Sequence, residues 1–317
     1  MRQPPNTMTT FVYSHADCLN HRPGSGHPEA PARLEAVLQA LQSPDFADLR
    51  WQDAPMGSRE QLLLVHEPHY VDLVASLVPE QGLQMLDGGD TLMSPGSWDA
   101  VMRCVGAACA AVDAVVQKAA TNAFCATRPC GHHAEADRAM GFCIFNQAAI
   151  AALHARIAHG LQRVAVIDFD VHHGNGTQHS FAADPELFYG SCHQSPFYPG
   201  TGARHERGVA GNIVNLPLVQ GCDSATMRAR VEAELLPALR KFAPELVIIS
   251  AGFDAHHLDP LGGLRFTDDD FHWFTTALMA VADASAKGRV VSVLEGGYSL
   301  QGLASGSAAH VRALQGR

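Results

Sequence analysis

Short apolar runs alternate along this chain with longer stretches that carry apolar residues on one helical face. The short runs are rich in valine, isoleucine and phenylalanine and have the length of strands, whereas the longer stretches have the length of helices. This alternation is typical of α/β proteins with a parallel sheet. The predicted strands are 11–14, 123–127, 163–169, 187–191, 246–250 and 289–294. The predicted helices are 28–41, 68–77, 97–119, 146–159, 224–242, 268–287 and 300–314.

Three of the predicted strands end in polar or glycine residues directly after a continuous apolar run. Their sequences are VAVIDFD, LVIISAGFD and VVSVLEGGY. An uninterrupted apolar run predicts a strand that is buried on both faces. Ligands of open parallel sheets bind just beyond the carboxyl ends of the strands, so we expect these three ends to meet at one site. Neither an internal repeat nor a linker divides the chain. This predicts a single domain over residues 1–317, with a short polar tail at 1–9 and long loops at 14–28, 83–96 and 193–212.

Composition narrows the classes of protein to which the chain can belong. Of its 317 residues, 47% are hydrophobic and 17% are charged, so it can bury a large core. The net charge of -10 would repel a phosphate backbone, so we expect no nucleic-acid binding, whereas a cationic substrate is compatible. Eight scattered cysteines without a CxxC pair predict a reducing, cytoplasmic location. The first ten residues lack the features of a signal peptide, and Arg103 and Asp113 interrupt the most apolar helix, so no membrane span is expected.

Acidic and histidine residues follow two of the buried strands. In VAVIDFDVHHGNGT, Asp168, Asp170 and His172 occupy alternate positions, so Asp170 and His172 can hold one metal ion while Asp168 lies behind them. Unpartnered carboxylates beside imidazoles would be costly to bury, which favours a metal site over a solvent-facing strand end. Asp254 in SAGFDAHHLDP supplies a third ligand and leaves one coordination position open, as in catalytic metal sites. The two histidines after Asp254 are alternative ligands, but the strand-end carboxylate is better placed, and we interpret them as loop residues at the rim.

Two further segments supply groups for proton transfer. His132 and His133 follow a strand and a turn in ATRPCGHHAE, and two neighbouring imidazoles can act as proton donor and acceptor when separate partners tune each one. Such a pair is more often a surface feature, but the open metal site predicted nearby favours the functional interpretation. In LEGGYSL, Gly296 and Gly297 allow a sharp turn that brings Tyr298 to the rim, where its phenol can donate a hydrogen bond to a developing oxyanion. The alternative is an aromatic residue that covers the start of a helix.

Taken together, these segments form a series of five motifs: RPCGHHAE, DFDVHHGNGTQ, SPFYPGTG, SAGFDAHHLDPLGG and EGGYSL. In this order and at these separations they resemble the zinc-dependent histone deacetylase family, and within it the class II branch with its bacterial deacetylase-like amidohydrolases. The resemblance runs from about His15 to about Leu303. It implies a single arginase-deacetylase type domain, an α/β fold with a central parallel sheet of about eight strands and helices on both faces. It also implies removal of acetyl or other short acyl groups from acyl-lysine or related acylated amines.

The resemblance implies a role for each matching residue. The zinc ligands would be Asp170, His172 and Asp254. The catalytic residues would be His132, His133 and Tyr298, with Asp168 holding the first histidine and Asn175 the second. A structural potassium site would include Asp168 and Ser191. The substrate tunnel would be lined by Gly141, Phe142, Tyr198 and Leu261.

Two positions depart from the family pattern. Cys130 stands where the family usually has a second proline, and Tyr198 replaces the usual phenylalanine of one tunnel wall. Both can change the acyl-chain preference. We interpret Cys130 as a buried, inert thiol, with sensitivity to thiol modification as the alternative. Asn175, where class I enzymes have aspartate, supports the class II assignment. We expect His133 to act as the base, because Asp168 should keep its neighbour His132 charged.

Three alternative functions stay open. An arginase-like manganese ureohydrolase shares the fold class but needs additional bridging carboxylates, which neither strand end supplies. A catalytically dead module that binds acylated ligands would have lost part of the site, and this chain retains all of it. An acetylpolyamine amidohydrolase is the third alternative. Polyamine-selective animal relatives carry an acidic residue at the position of Leu261. Bacterial acetylpolyamine amidohydrolases reach the same selectivity by dimerisation and loop shape. A homo-oligomer of this chain would be compatible with that second route. Whether zinc or iron fills the site in the cell also stays open.

Overall fold

The computed structural model describes residues 8–317 of the chain, and most of the predicted polar tail, residues 1–7, lies outside the described residues. The strands, numbered β1 to β10, are Thr10–Ser14, Arg50–Asp53, Gln84–Met85, Leu92–Met93, Asn122–Cys125, Val164–Asp168, Leu187–Gln194, Ile213–Leu218, Leu246–Ala251 and Val290–Leu294. The helices, numbered α1 to α10, are Pro31–Leu41, Arg59–Leu62, Pro68–Ser76, Ser97–Val116, Gln147–His159, Asn175–Phe181, Ser224–Arg230, Leu236–Phe242, Asp268–Ser285 and Leu300–Leu314.

Eight of these strands form one parallel sheet with the order β2-β1-β5-β10-β9-β6-β7-β8. The predicted parallel α/β sheet is therefore confirmed. The strands β6, β9 and β10, which carry the three motifs with polar ends, lie near the middle of the sheet. β9 pairs with both of the others, so the three carboxyl ends are neighbours. Strands β3 and β4 form a separate antiparallel pair inside the predicted loop 83–96.

Helices cover both faces of the sheet. Because successive strand residues point to opposite faces, Ile167 packs on one side and Val166 on the other. The side of Ile167 is covered by apolar residues of α1, α8, α9 and α10. The side of Val166 is covered by the alanine-rich faces of α4 and α5. This explains why the central strands are continuous apolar runs without alternation.

The two edge strands were not predicted from the sequence. β2 has the sequence RWQD and is largely exposed, and β8 has the sequence IVNLPL with Pro217 in its interior. Exposed polar residues and proline are typical of edge strands, where one row of backbone groups faces away from the sheet. Neither strand is an uninterrupted apolar run, because β2 is mostly polar and Asn215 and Pro217 interrupt β8, so neither could be recognised in this way.

Several helices differ from their predicted bounds. The helix predicted at 28–41 begins at Pro31, and the one at 224–242 is divided by a π-helical turn at Val231–Leu235. Pro237 follows that turn and has no backbone N–H to donate to it, which accounts for the local change of helical pitch. The short helices α2 and α6 were missed because neither is long enough to show an apolar period. Within residues 8–317, no helix has both the length and the apolar character that crossing a membrane requires.

Candidate active site

The three predicted metal ligands meet at the carboxyl edge of the sheet. β6 ends at Asp168, so Asp170 and His172 lie in the turn that follows it, and Asp254 follows β9. One ligand atom from each of Asp170, His172 and Asp254 lies within 4.8 Å of the others. Nδ1 of His172 is 3.0 Å from Oδ1 of Asp170 and 3.2 Å from Oδ2 of Asp254. The structure thus brings together residues that are 84 positions apart (170 to 254) in the sequence.

The two buried carboxylates of this cluster favour the binding of a cation. Asp170 and Asp254 are fully buried, and burial together with the nearby Asp170 carboxylate raises the pKa of Asp254 to about 7. Burial opposes a charge on His172, but its interactions with the carboxylates of Asp170 and Asp254 outweigh it and raise its pKa to about 10. Among the described residues, Oδ2 of Asp254 has no hydrogen-bond donor. Two buried carboxylates and an imidazole fit a divalent metal ion with mixed nitrogen and oxygen ligands.

Backbone amides hold the two carboxylates in place. The N–H of Gly296 donates to Oδ2 of Asp170 (2.8 Å), and the N–H of Val171 donates to Oδ1 of Asp254 (2.8 Å). A Cβ atom on Gly296 would lie 2.1 Å from Oδ2 of Asp254 and 2.6 Å from Oδ2 of Asp170. The first glycine of the EGGY segment is therefore needed so that the backbone can approach the ligands, as well as for the turn.

The two predicted catalytic histidines lie side by side with different partners. Their ring centroids are 4.0 Å apart. Nδ1 of His132 is 2.9 Å from Oδ2 of Asp168, and Nδ1 of His133 is 2.8 Å from Oδ1 of Asn175. Burial opposes a charge on His132, but the carboxylates of Asp168 and Asp170 outweigh it and raise its pKa well above the usual range. Burial and the positive charge of His132 instead hold the pKa of His133 well below its usual range. The sequence-based expectation of one charged and one neutral imidazole matches these directions.

Asn175 determines which nitrogen of His133 carries the proton. Its Nδ2 donates to Oε1 of Glu135 (2.5 Å) and to the carbonyl of His133 (3.1 Å), so its Oδ1 must face Nδ1 of His133. An amide oxygen only accepts, and Nδ1 of His133 therefore carries the hydrogen. The lone pair of the neutral ring is then on Nε2, which is the arrangement a general base needs. The role of Glu135 was not predicted from the sequence, because this residue acts on His133 through Asn175.

A cavity of about 400 Å³ opens above the cluster. It is lined by His27, Pro28, Asp90, His133, Gly141, Phe142, His172, Phe197, Tyr198, Leu261 and Tyr298. All four predicted tunnel residues are among them. Phe197 was not predicted, and its ring stacks on His172 at a centroid distance of 5.1 Å. His27 and Asp90 come from loops whose sequence carries no sign that they reach this site.

Tyr298 lies in the cavity wall, next to the predicted metal ligands. Its ring contacts Phe142 edge-on at a centroid distance of 5.9 Å, and the guanidinium of Arg33 lies 4.9 Å from its ring centroid. Burial raises the pKa of the phenol well above its usual value, so Tyr298 keeps its proton and can donate a hydrogen bond. This placement favours the functional interpretation over a helix-covering residue.

Two buried residues outside the predicted set position the catalytic loops. Oε2 of Glu295 accepts hydrogen bonds from the N–H of Gly131 (2.7 Å) and of His132 (3.2 Å). Arg33 donates to the carbonyls of Gly297 and Glu295, both at 2.5 Å. They tie the histidine loop and the tyrosine loop to the same framework. A glutamate directly after a predicted buried strand was the sequence signal for Glu295, whereas Arg33 on α1 gave none.

The other residues noted in the sequence are Asp168, Ser191, Cys130, His256 and His257. Asp168 and Ser191, the predicted potassium ligands, are register partners on β6 and β7, and Oγ of Ser191 lies 2.9 Å from Nδ1 of His193. Cys130 is buried, and its sulfur is 3.3 Å from that of Cys143. His256 is buried against Asp268, with 3.3 Å between Nε2 and Oδ1, and His257 is largely exposed. Neither of these two histidines belongs to the ligand cluster.

Replacing Gly141 with alanine is expected to lower kcat/KM by about 100-fold, because the new Cβ would displace His133 from its position. That atom would lie 2.5 Å from Cδ2 of His133 and 3.0 Å from Cε1 of Tyr198, at a residue with φ of +57°. The matched control is Gly160→Ala, which has φ of +68° and nothing within 4 Å of the added atom. Equal losses of activity in the two variants would show that backbone strain, and not the contact with His133, is responsible.

This chain is similar to several known proteins. The family model described as histone deacetylase domain matches residues 27–314. The histone deacetylase-like amidohydrolase of Pseudomonas aeruginosa is 38% identical over 87% of this chain and 73% of its own length. Human polyamine deacetylase HDAC10 is 39% identical over 91% of this chain and 44% of its own length. The crystal structure of the HDA15 HD domain superimposes with a TM-score of 0.92 at 33% identity, covering 98% of this chain and 89% of that one.

The fold and the residues at its carboxyl edge therefore define a hydrolase of the deacetylase type, which acts on amides. The chain belongs to the histone deacetylase family.

Proposed function

We propose that this protein is a zinc-dependent amidohydrolase that removes acetyl or other short acyl groups from acyl-lysine or related acylated amines, and that it belongs to the class II branch. One observation carries the proposal. Three groups face the same cavity: the ligand cluster through His172, the neutral imidazole of His133 and the protonated phenol of Tyr298. These are the parts that hydrolysis of an amide requires, namely activation of water, proton transfer and stabilisation of an oxyanion.

Asp170, His172 and Asp254 would hold the zinc ion, with a coordination position left open. When bound, zinc supplies Lewis-acid chemistry, which makes water more acidic and a carbonyl carbon more electrophilic. Potassium is proposed as a structural ion near Asp168 and Ser191, behind the histidine pair. We also propose a cytoplasmic location, which is supported by eight buried free thiols, since free cysteines are typical of reducing compartments.

His133 would take the proton from the attacking water on Nε2, because Asn175 keeps the hydrogen of the neutral ring on Nδ1. The same imidazole then carries a proton that it can give to the leaving amine. His132 would stay charged beside Asp168 and stabilise the negative charge that develops during attack. Tyr298 would donate its hydroxyl hydrogen to the carbonyl oxygen as that atom becomes an oxyanion.

Phe142 and Tyr198 would exclude water and contact the methylene chain of the substrate on its way to the ligand cluster. An extended aliphatic amine would lie between these two aromatic walls, with its acylated end inside and its other end at the mouth. Tyr198 is 45% exposed and Leu261 is 36% exposed, so both lie where the substrate would leave the cavity.

The proposal is tested by hydrolysis of an acetyl-lysine peptide by the zinc-loaded chain, the chain stripped with a chelator, and the stripped chain after zinc is restored. We expect turnover to be lost on stripping and recovered with zinc. Full turnover after complete removal of metal would contradict the zinc proposal, and no hydrolysis of acylated amines by the loaded chain would contradict the reaction. A count of two tightly bound manganese ions at this cluster would instead favour a ureohydrolase.

Acetylated polyamines are a second candidate substrate class. This candidate is favoured by Asp90, an acidic residue in the cavity lining that can face a cationic amine, and by the similarity to human polyamine deacetylase HDAC10. Initial rates on an acetyl-lysine peptide and on N-acetylputrescine, with Tyr298→Phe as the blank, separate the two. A clear preference for N-acetylputrescine would assign the protein to polyamine chemistry, and turnover of the peptide alone would assign it to acyl-lysine.

A further inference from the structure

A second group of metal-ligating side chains lies far from the catalytic edge. Asp113 is in the last turn of α4, and His154 and His159 are on α5, which ends at His159. The next strands along the chain, β5 and β6, begin shortly after these helix ends, so the group lies toward the amino ends of the strands. The predicted active site is at the opposite, carboxyl ends.

Both imidazoles of this group are directed at one carboxylate oxygen. Nε2 of His154 is 2.8 Å and Nε2 of His159 is 2.6 Å from Oδ1 of Asp113. All three ligand atoms lie within 4.8 Å of one another. Ligand atoms that share a zinc ion about 2 Å away lie at most about 4 Å from each other, so only small side-chain movements are needed to enclose an ion.

Burial at this group is intermediate. The side chains of His154 and His159 are 15% and 14% exposed, and that of Asp113 is 41% exposed. The imidazoles are therefore held in place by packing, while the carboxylate stays open to an ion from solution. Ordered ligands lose little side-chain entropy on binding.

The surrounding charges also favour a cation. Asp113 and His159 lie in the last turns of their helices, where the helix dipole places partial negative charge. The nearest basic residue on α5, Arg156, is paired with Asp184 and does not neutralise Asp113. Two imidazoles and one carboxylate with room for water are ligands that Zn²⁺ and related divalent ions accept.

We propose that Asp113, His154 and His159 form a second site for a divalent transition-metal ion such as Zn²⁺, separate from the catalytic cluster. The ion would join α4 to α5 across their contact. Because it binds only the folded arrangement of the two helices, it would raise the stability of the fold with increasing metal concentration. The competing arrangement has no ion, and in it the two imidazole N–H groups share the carboxylate through hydrogen bonds alone.

The test is the number of Zn²⁺ ions bound by the metal-stripped full chain, measured by calorimetric titration and by metal analysis after gel filtration. We expect Asp113→Asn and His154→Gln each to bind one ion fewer than the wild type. The matched control is His69→Gln, which removes another surface histidine beside a carboxylate, that of Glu67, and should bind the wild-type number. The Zn²⁺-dependent rise in Tm should shrink in the two variants and persist in the control.

The proposal is decided by the difference in the number of bound Zn²⁺ ions between the wild type and its variants, and not by the total number. If the catalytic cluster binds no zinc, every count falls by one and the difference of one ion stays. Equal counts in wild type, Asp113→Asn and His154→Gln would overturn the second site and leave the hydrogen-bonded arrangement. Circular dichroism of each metal-stripped variant shows whether it folds, and His159→Gln replaces any variant that does not.

Discussion

Tyr298→Phe is expected to lower kcat by about two to three orders of magnitude while the metal stays bound, because it removes one donor to the oxyanion. The phenol lies in the cavity wall beside the ligand cluster, and its raised pKa keeps the hydroxyl hydrogen available for donation. Phenylalanine preserves the ring and its contacts with Phe142 and Arg33. Steady-state kinetics on an acetyl-lysine peptide, together with metal analysis of the same sample, measure the two parts of the prediction.

Tyr13→Phe is the matched control for this change. Tyr13 is buried, and its hydroxyl donates to the carbonyl of Ala110 at 3.2 Å, away from the cavity. Removing this hydroxyl should cost some stability but leave kcat close to that of the wild type. Near wild-type turnover by Tyr298→Phe would remove the tyrosine from the proposed mechanism.

His133→Gln is expected to lower kcat by about two to four orders of magnitude, because the chain loses its general base. Glutamine can still hydrogen-bond to Asn175 but has no basic nitrogen to accept the proton of water. His69→Gln, at an exposed histidine, controls for the substitution itself and should leave kcat unchanged. Loss of the bound metal from His133→Gln would mean that the variant damages the ligand cluster, and retention of full activity would assign the base role elsewhere.

The pH dependence of kcat/KM tests the same assignment. Burial and the charge of His132 hold the pKa of His133 well below 6.5, so its base form persists when the pH falls through that value. The acid limb of the profile should therefore lie below pH 6.5, and activity should be lost only as His133 gains a proton at lower pH. An acid limb above pH 6.5 would contradict a neutral His133 in the resting protein.

The central part of the fold could be predicted because its pattern is local. Strands β6, β9 and β10 are almost entirely apolar, and a short run of this kind predicts a strand that is buried on both faces. The edge strands β2 and β8 were not predicted. One side of each has no partner strand, which permits the polar residues and proline that they contain. Helix α6 was not predicted, because its seven residues, NGTQHSF, are held by contacts around the active site and show no apolar period.

The residues of the site followed from the sequence to the extent that they come from strand ends or from recognisable motifs. Asp170, His172 and Asp254 do, and they meet in the structure as the topology of a parallel sheet requires. Glu135 and Arg33 were not predicted. Each acts on the site through a contact that cannot be predicted from the spacing of residues in the sequence. The group formed by Asp113, His154 and His159 was likewise invisible, since it depends on how two helices pack.

Along the chain alone, order and residue type were enough to predict the α/β class, the strands at its centre and the chemical types of the groups at their ends. Those properties depend on neighbours within a few positions, which the sequence displays directly. Which nitrogen of His133 is free, which imidazole carries charge and what lines the cavity were decided only by the tertiary structure. Each of these depends on burial and on partners distant in sequence, because an imidazole takes its pKa and its tautomer from whatever the fold places against it.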